Sequence, residues 1–297
     1  MTPTPTAPAS SGVRRRWLYA ILITSFLFVL MPFLFWQQTW FGRPLTDAQI
    51  EKNLADREHP RKGQHALSQI ADRILSRDSA VRASAQRWYP QVAAESQSSV
   101  AELRLTAAWV MGLDASAPEF HPALLRLLAD VHPMVRRNAA LSLVRFQDAA
   151  GRRDASGRAE IHSMLLPYSI PAPRAGLLNQ RLKVSDVVNP GTMVARLESG
   201  GQKTEVRSEV PGSIERWLVG DGAEVGSGQP IVALAPSPEM VWEALRALYL
   251  IGQPEDLPAI DRYARGIEGM PESVRQQAVL TARQIRDRAS SAPPVAP

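Results

Sequence analysis

Asp78–Ala85 reads DSAVRASA, and its last five residues set the pattern that organises the chain. An aliphatic residue is followed by Arg, and a small residue stands four places after the aliphatic one. The pattern returns as Leu103-Arg104 with Ala107 and as Val135-Arg136 with Ala139. It returns again as Val241-Trp242 with Leu245 and as Val274-Arg275 with Ala278. The steps are 22, 32, 106 and 33 residues. Spacings of this size mark an array of helix pairs, in which each repeat buries its apolar face on its neighbours. Taking one repeat of 33 from the gap of 106 leaves 73 residues, so a second domain of about that size is expected inside the array.

On either side of that gap the sequence has helical periodicity. Leu67, Ile70, Ile74 and Leu75 fall on one face of a helix. Asp78 or Ser79 is placed to cap the next helix, and Pro133 and Pro238 suit first-turn positions. Helical arrays are expected over 64–166 and 238–288. In them Val81, Ala85, Leu103, Ala107, Val135, Ala139, Val241, Leu245, Val274 and Ala278 are the packing positions. The recurring Arg is expected to pair with acids of an adjacent turn or repeat. The pattern resembles HEAT repeats, including the short bacterial variety. That resemblance implies an α-solenoid and carries no catalytic residue.

Residues 167–237 change character to alternating apolar positions with Gly and Pro, the pattern of short strands and turns. The segment is duplicated. Val188, Gly191, Val194 and Leu197 match Val225, Gly228, Ile231 and Leu234 at a constant offset of 37. Glu209–Leu234, with its Pro-Gly turn and the Gly-Gln before the last strand, resembles the biotinyl/lipoyl barrel-sandwich hybrid domain. Carriers of that family hold a modifiable lysine eleven residues before the Gly of the turn; here that place is Gly201. Lys203 is the nearby lysine, and it lacks the flanking Met or Asp of the carrier motifs. A second resemblance is to the periplasmic adaptors of efflux and type I secretion systems. These insert a long helical hairpin where this chain has only Glu198–Thr204.

Trp17–Trp36 is twenty residues without a charge, long enough at 1.5 Å per residue to cross a hydrocarbon core of roughly 30 Å. Trp17 and Tyr19 at one end, and Trp36 and Trp40 at the other, suit the two interfaces. Arg14, Arg15 and Arg16 before the span place the N-terminus in the cytoplasm. The expected organisation has a disordered cytoplasmic tail over 1–13, a transmembrane anchor over 14–40 and a linker over 41–63. The array and its insert follow, with a disordered tail over 289–297. The expected fold class is mainly α with a β insert: a single transmembrane helix and a HEAT-type solenoid interrupted by a barrel-sandwich hybrid. The expected location is a bacterial inner membrane, with the bulk of the chain periplasmic.

The chain has 297 residues, 34 basic and 29 acidic, and no cysteine. Disulfides and thiolate chemistry are thereby excluded. The basic residues are spread along the chain, with no cluster interleaved with aromatics, so no nucleic-acid partner is expected. The five histidines show no metal-ligand spacing, and no nucleophile elbow, P-loop or dinucleotide fingerprint occurs. No catalytic residue, cofactor or metal is expected. The expected function is a non-catalytic, membrane-anchored scaffold or accessory subunit on a larger membrane complex. The alternatives are an adaptor without the coiled-coil arm, and a carrier modified at Lys203.

Overall fold

The computed structural model describes Trp17, Tyr19, residues 21–31 and residues 44–291. The chain divides into two compact units, Met1–Ile50 and Glu51–Pro297. The helical layers and the sheets described below share the second.

Among the described residues from 47 onward eleven α-helices are formed. They are α1 (Asp47–Ala55), α2 (Pro60–Ile74), α3 (Ser79–Ala85), α4 (Tyr89–Glu95), α5 (Ala101–Met111) and α6 (Phe120–Leu127), followed by α7 (Pro133–Leu143), α8 (Arg158–Ser163), α9 (Pro238–Ile251), α10 (Leu257–Ala264) and α11 (Glu272–Ser291). Their starts follow local chemistry. The Asp78 carboxylate accepts from Ala80 N–H at 2.8 Å and caps α3. Ser237 caps α9, and Pro133 and Pro238 stand where a missing N–H costs nothing. α1 lies within 41–63, the range read as a linker.

α2, α5 and α7 stack side by side, and α9 and α11 extend the layer. α4, α6, α8 and α10 pack across them. The close approach depends on small residues: Ala85, Ala107, Ala139 and Ala278 are each fully buried. It is fastened by side chains that bond to the backbone of the preceding layer helix. Ser142 Oγ donates to the Ala108 carbonyl at 2.8 Å, and Thr281 Oγ1 to the Leu245 carbonyl at 2.9 Å. Each such bond is worth about 1 kcal/mol and satisfies a hydroxyl that burial would otherwise penalise.

All eight strands fall between α8 and α9: β1 (Tyr168–Pro171), β2 (Gly176–Gln180), β3 (Val187–Val188), β4 (Met193–Ser199), β5 (Gln202–Arg207), β6 (Gly212–Trp217), β7 (Glu224–Val225) and β8 (Pro230–Pro236). They make two antiparallel sheets, ordered β1-β8-β6-β3 and β5-β4-β2-β7. Exchanging the first four strands for the last four, in order, turns one sheet into the other. The duplication read in the sequence is therefore a pseudo-twofold, in which every sheet draws strands from both halves. The matched residues Val188, Val194 and Leu197 share one core with Val225, Ile231 and Leu234. Gly191 and Gly228, at φ 89° and 78°, turn the chain at equivalent points.

Four expectations are corrected. Among the described residues no helix is long and apolar enough to cross a membrane. Trp17 and Tyr19 are helical and exposed, while Arg14, Arg15, Arg16, Trp36 and Trp40 lie outside the described residues. The transmembrane anchor, the inner-membrane location and the periplasmic orientation are therefore not supported. The fold class changes with them: the chain is a mixed helix and sheet fold, 52% helical and 16% strand, rather than a solenoid on a membrane helix.

A close helix contact offers a test of the packing. A Cβ on Gly157, just before α8, would stand 2.6 Å from Ala140 Cα in α7. Because Gly157 has an ordinary negative φ of −86°, only this collision opposes a side chain. Gly157→Ala is expected to cost about 1–3 kcal/mol through overpacking and to lower the thermal midpoint by several degrees. An unchanged midpoint would show that α7 and α8 do not meet this closely.

Candidate functional site

The structure places the repeat residues unequally. Leu103, Val135, Val241, Leu245 and Val274 are buried, as are the four alanines, whereas Val81 is 38% exposed. α3 is a seven-residue helix followed by a 3-10 turn at Gln86–Trp88.

The repeat arginines are structural. Arg82, Arg104 and Arg136 each donate from Nη1 to the carbonyl six residues back, at Ser76, Ser98 and Asp130, each at 2.9 Å. Arg104 also grips Asp130 with two bonds of 2.6 and 2.9 Å, and Arg136 reaches Glu160 at 3.2 Å. Successive helix pairs are thus joined in a chain of charge. Arg275 instead pairs within its own helix, with Glu272.

Lys203 lies on β5 opposite Glu198, with its Nζ 3.4 Å from the carboxylate. The hairpin apex is Gly200-Gly201, both at positive φ, as a two-residue turn of the primed type requires. The lysine is held in the ladder rather than presented at the tip.

Two clusters absent from the sequence reading knit the molecule together. Asp256, buried, accepts from Arg158 at 3.0 Å and lies 2.8 Å from His162 Nδ1. His121 Nε2 stands 2.6 Å from Asp154. Burial alone would push the Asp154 carboxyl up, but bonds from Ser156 and His121 bring it below its ordinary value. Among the described residues no group of three His, Asp or Glu side chains is arranged to hold a metal.

A surface feature that stands apart from this scaffolding is a groove of about 300 Å³ lined by α5, α7, α9 and the loop after α7. α7 and α9 supply its walls, and α8 packs against both. Trp109, Leu141 and Leu250 supply its apolar lining, and Arg145, Arg153 and Arg246 its charge. Arg145 donates to the Gly112 carbonyl at 3.2 Å, and Arg153 to the Arg145 carbonyl at 3.2 Å. The Arg246 guanidinium sits 4.6 Å over the Trp242 ring. Among the described residues none of the three meets a carboxylate, although Glu243 also lines the groove. The sequence held one signal for this site: Trp242 and Arg246 are one helical turn apart, where the motif Arg is replaced by Trp.

Comparison by sequence finds no matching protein family and no matching characterised protein. Among solved structures the chain is similar to a single-chain, multi-domain long-chain acyl-CoA carboxylase, at 17% identity and a TM-score of 0.23. That match covers 43% of this chain and 14% of the carboxylase chain. It is also similar to an engineered protein, at 14% identity and a TM-score of 0.35, over 82% of this chain and 98% of that one. Neither likeness is close enough to carry an argument, and neither shows HEAT repeats or a biotinyl/lipoyl domain.

The Arg104–Asp130 link predicts a response to acid. Burial raises the Asp130 carboxyl, but the bonds from Arg104 and the His132 N–H outweigh it and hold the group below its ordinary 3.8. A carboxyl with a lowered folded-state pKa adds stability that is full above the unfolded value and is lost as pH falls through the folded one. Wild-type protein should therefore lose stability progressively below about pH 4. Asp130→Asn should cost about 3 kcal/mol at neutral pH by leaving Arg104 unpaired, and should flatten that acid slope. Denaturant titrations at several pH values would check both effects.

Proposed function

We propose that this protein is a non-catalytic scaffold subunit that docks on a partner protein through the helical layer around α5, α7 and α9. The observation that carries the reading is the groove. It combines exposed Trp109 and Leu250 with Arg246 on α9 and Arg145 and Arg153 on the loop after α7, three guanidiniums that meet no carboxylate among the described residues. A scaffold needs such a surface on a rigid support, and the backbone-anchored Arg145 and Arg153 are held in place before any partner arrives. The sheets offer a second compact face.

Purifying the full tagged chain from its own cells under mild conditions should recover the same protein subunits in fixed ratio. Chemical cross-links should join those subunits to the helical layer. The intact mass should show Lys203 unmodified. A chain that purifies alone with a biotinyl or lipoyl increment on Lys203 would replace this reading with a carrier function.

A further inference from the structure

Resting on the scaffold reading, the geometry points to one kind of occupant for the α7–α9 groove: an acidic segment of a partner protein that seats an aliphatic side chain between its carboxylates. The charge of the groove sets the first requirement. Arg145, Arg153 and Arg246 face it, and the carboxylate lining it is Glu243. Their present partners are backbone carbonyls, an indole ring and, for Arg153, the Gln147 side-chain amide, which satisfy N–H groups without neutralising the cations. A carboxylate brought to a guanidinium makes the stronger, charge-assisted bond.

The second requirement comes from size and lining. At about 300 Å³ the hollow is at the low end of small-molecule pockets, which run from roughly 300 to 1,000 Å³. It has room for one or two side chains of a longer segment. Trp109, Leu141 and Leu250 give those side chains an apolar seat. A buried apolar anchor ringed by polar contacts is how most interface energy is concentrated.

The third requirement separates a peptide from a nucleic acid. Glu243 lies three residues before Arg246 on α9, on the same helical face, and both are exposed. A phosphate backbone would meet that carboxylate head-on, whereas a peptide can present an N–H or a basic residue to it.

The test uses the purified full chain and a fluorescein-labelled peptide of about twelve residues in which Asp and Glu alternate with Leu. The same peptide with Lys for every acid, and a single-stranded oligodeoxynucleotide of equal length, serve as competitors. Fluorescence anisotropy should show saturable binding of the acidic peptide that weakens steeply as salt rises. Arg246→Glu should weaken it about tenfold or more by placing like charge at the contact. Glu243→Gln should tighten it several-fold, a gain that misfolding cannot imitate. Indifference to both substitutions, or equal binding of the Lys peptide, would overturn the proposal. So would an oligonucleotide that competes on equal terms. If the groove variants keep the co-purifying partner and the peptide does not bind, the groove is not the contact and the scaffold reading stands on another face. If no partner co-purifies either, both fall.

Discussion

Much of this molecule rests on the antiparallel pairing of β1 with β8. Tyr168 lies opposite Leu234 and Ile170 opposite Val232, so the chain leaves the helical layer and returns to it side by side. That pairing lets α9 resume packing where α8 left off. Ile161, Met164 and Leu165 on one side share a core with Val241, Leu245 and Leu248 on the other. Closing so long an excursion costs entropy that grows only slowly with its length. The burial of six large apolar side chains, each worth about 1.5–3 kcal/mol, offsets it. Polar links reinforce the joint: Tyr263 Oη donates to the Leu165 carbonyl at 2.8 Å, and Asp256 gathers Arg158 and His162.

Where the two architectures meet, Arg137 is enclosed. Its guanidinium lies 5.6 Å from the Tyr168 ring and 3.1 Å from Met240 Sδ, with Glu160 at 3.8 Å. Burial lowers its proton affinity, and the neighbouring Glu160 works against that. One side chain thus touches α7, α8, β1 and α9. The sheets and helices belong to one compact unit for this reason as much as for the chain connection.

Patterns of short range were legible in the sequence. Positions four apart in the repeat are buried, since helical spacing alone decides which residues share a face. The offset of 37 in the strands is the pseudo-twofold, because paired turns and paired core residues must recur together. Val81, 38% exposed, departs from the rule. The uncharged run from Trp17 has the composition of a membrane span, but among the described residues no helix is long and apolar enough to be one. Of the groove only the Trp242–Arg246 spacing was legible. Its walls come from α7 and α9, helices about a hundred residues apart, and part of its charge from Arg153 on an irregular loop. No local period records either.

The interlock of the two sheets has a consequence for where such a fold comes from. Strands from each half complete the sheet of the other, so a lone half would expose unpaired edges and half of a core. Two identical halves could supply one another's missing strands as separate chains. What stands between α8 and α9 is, in architecture, a symmetric dimer made permanent by a single two-glycine hairpin.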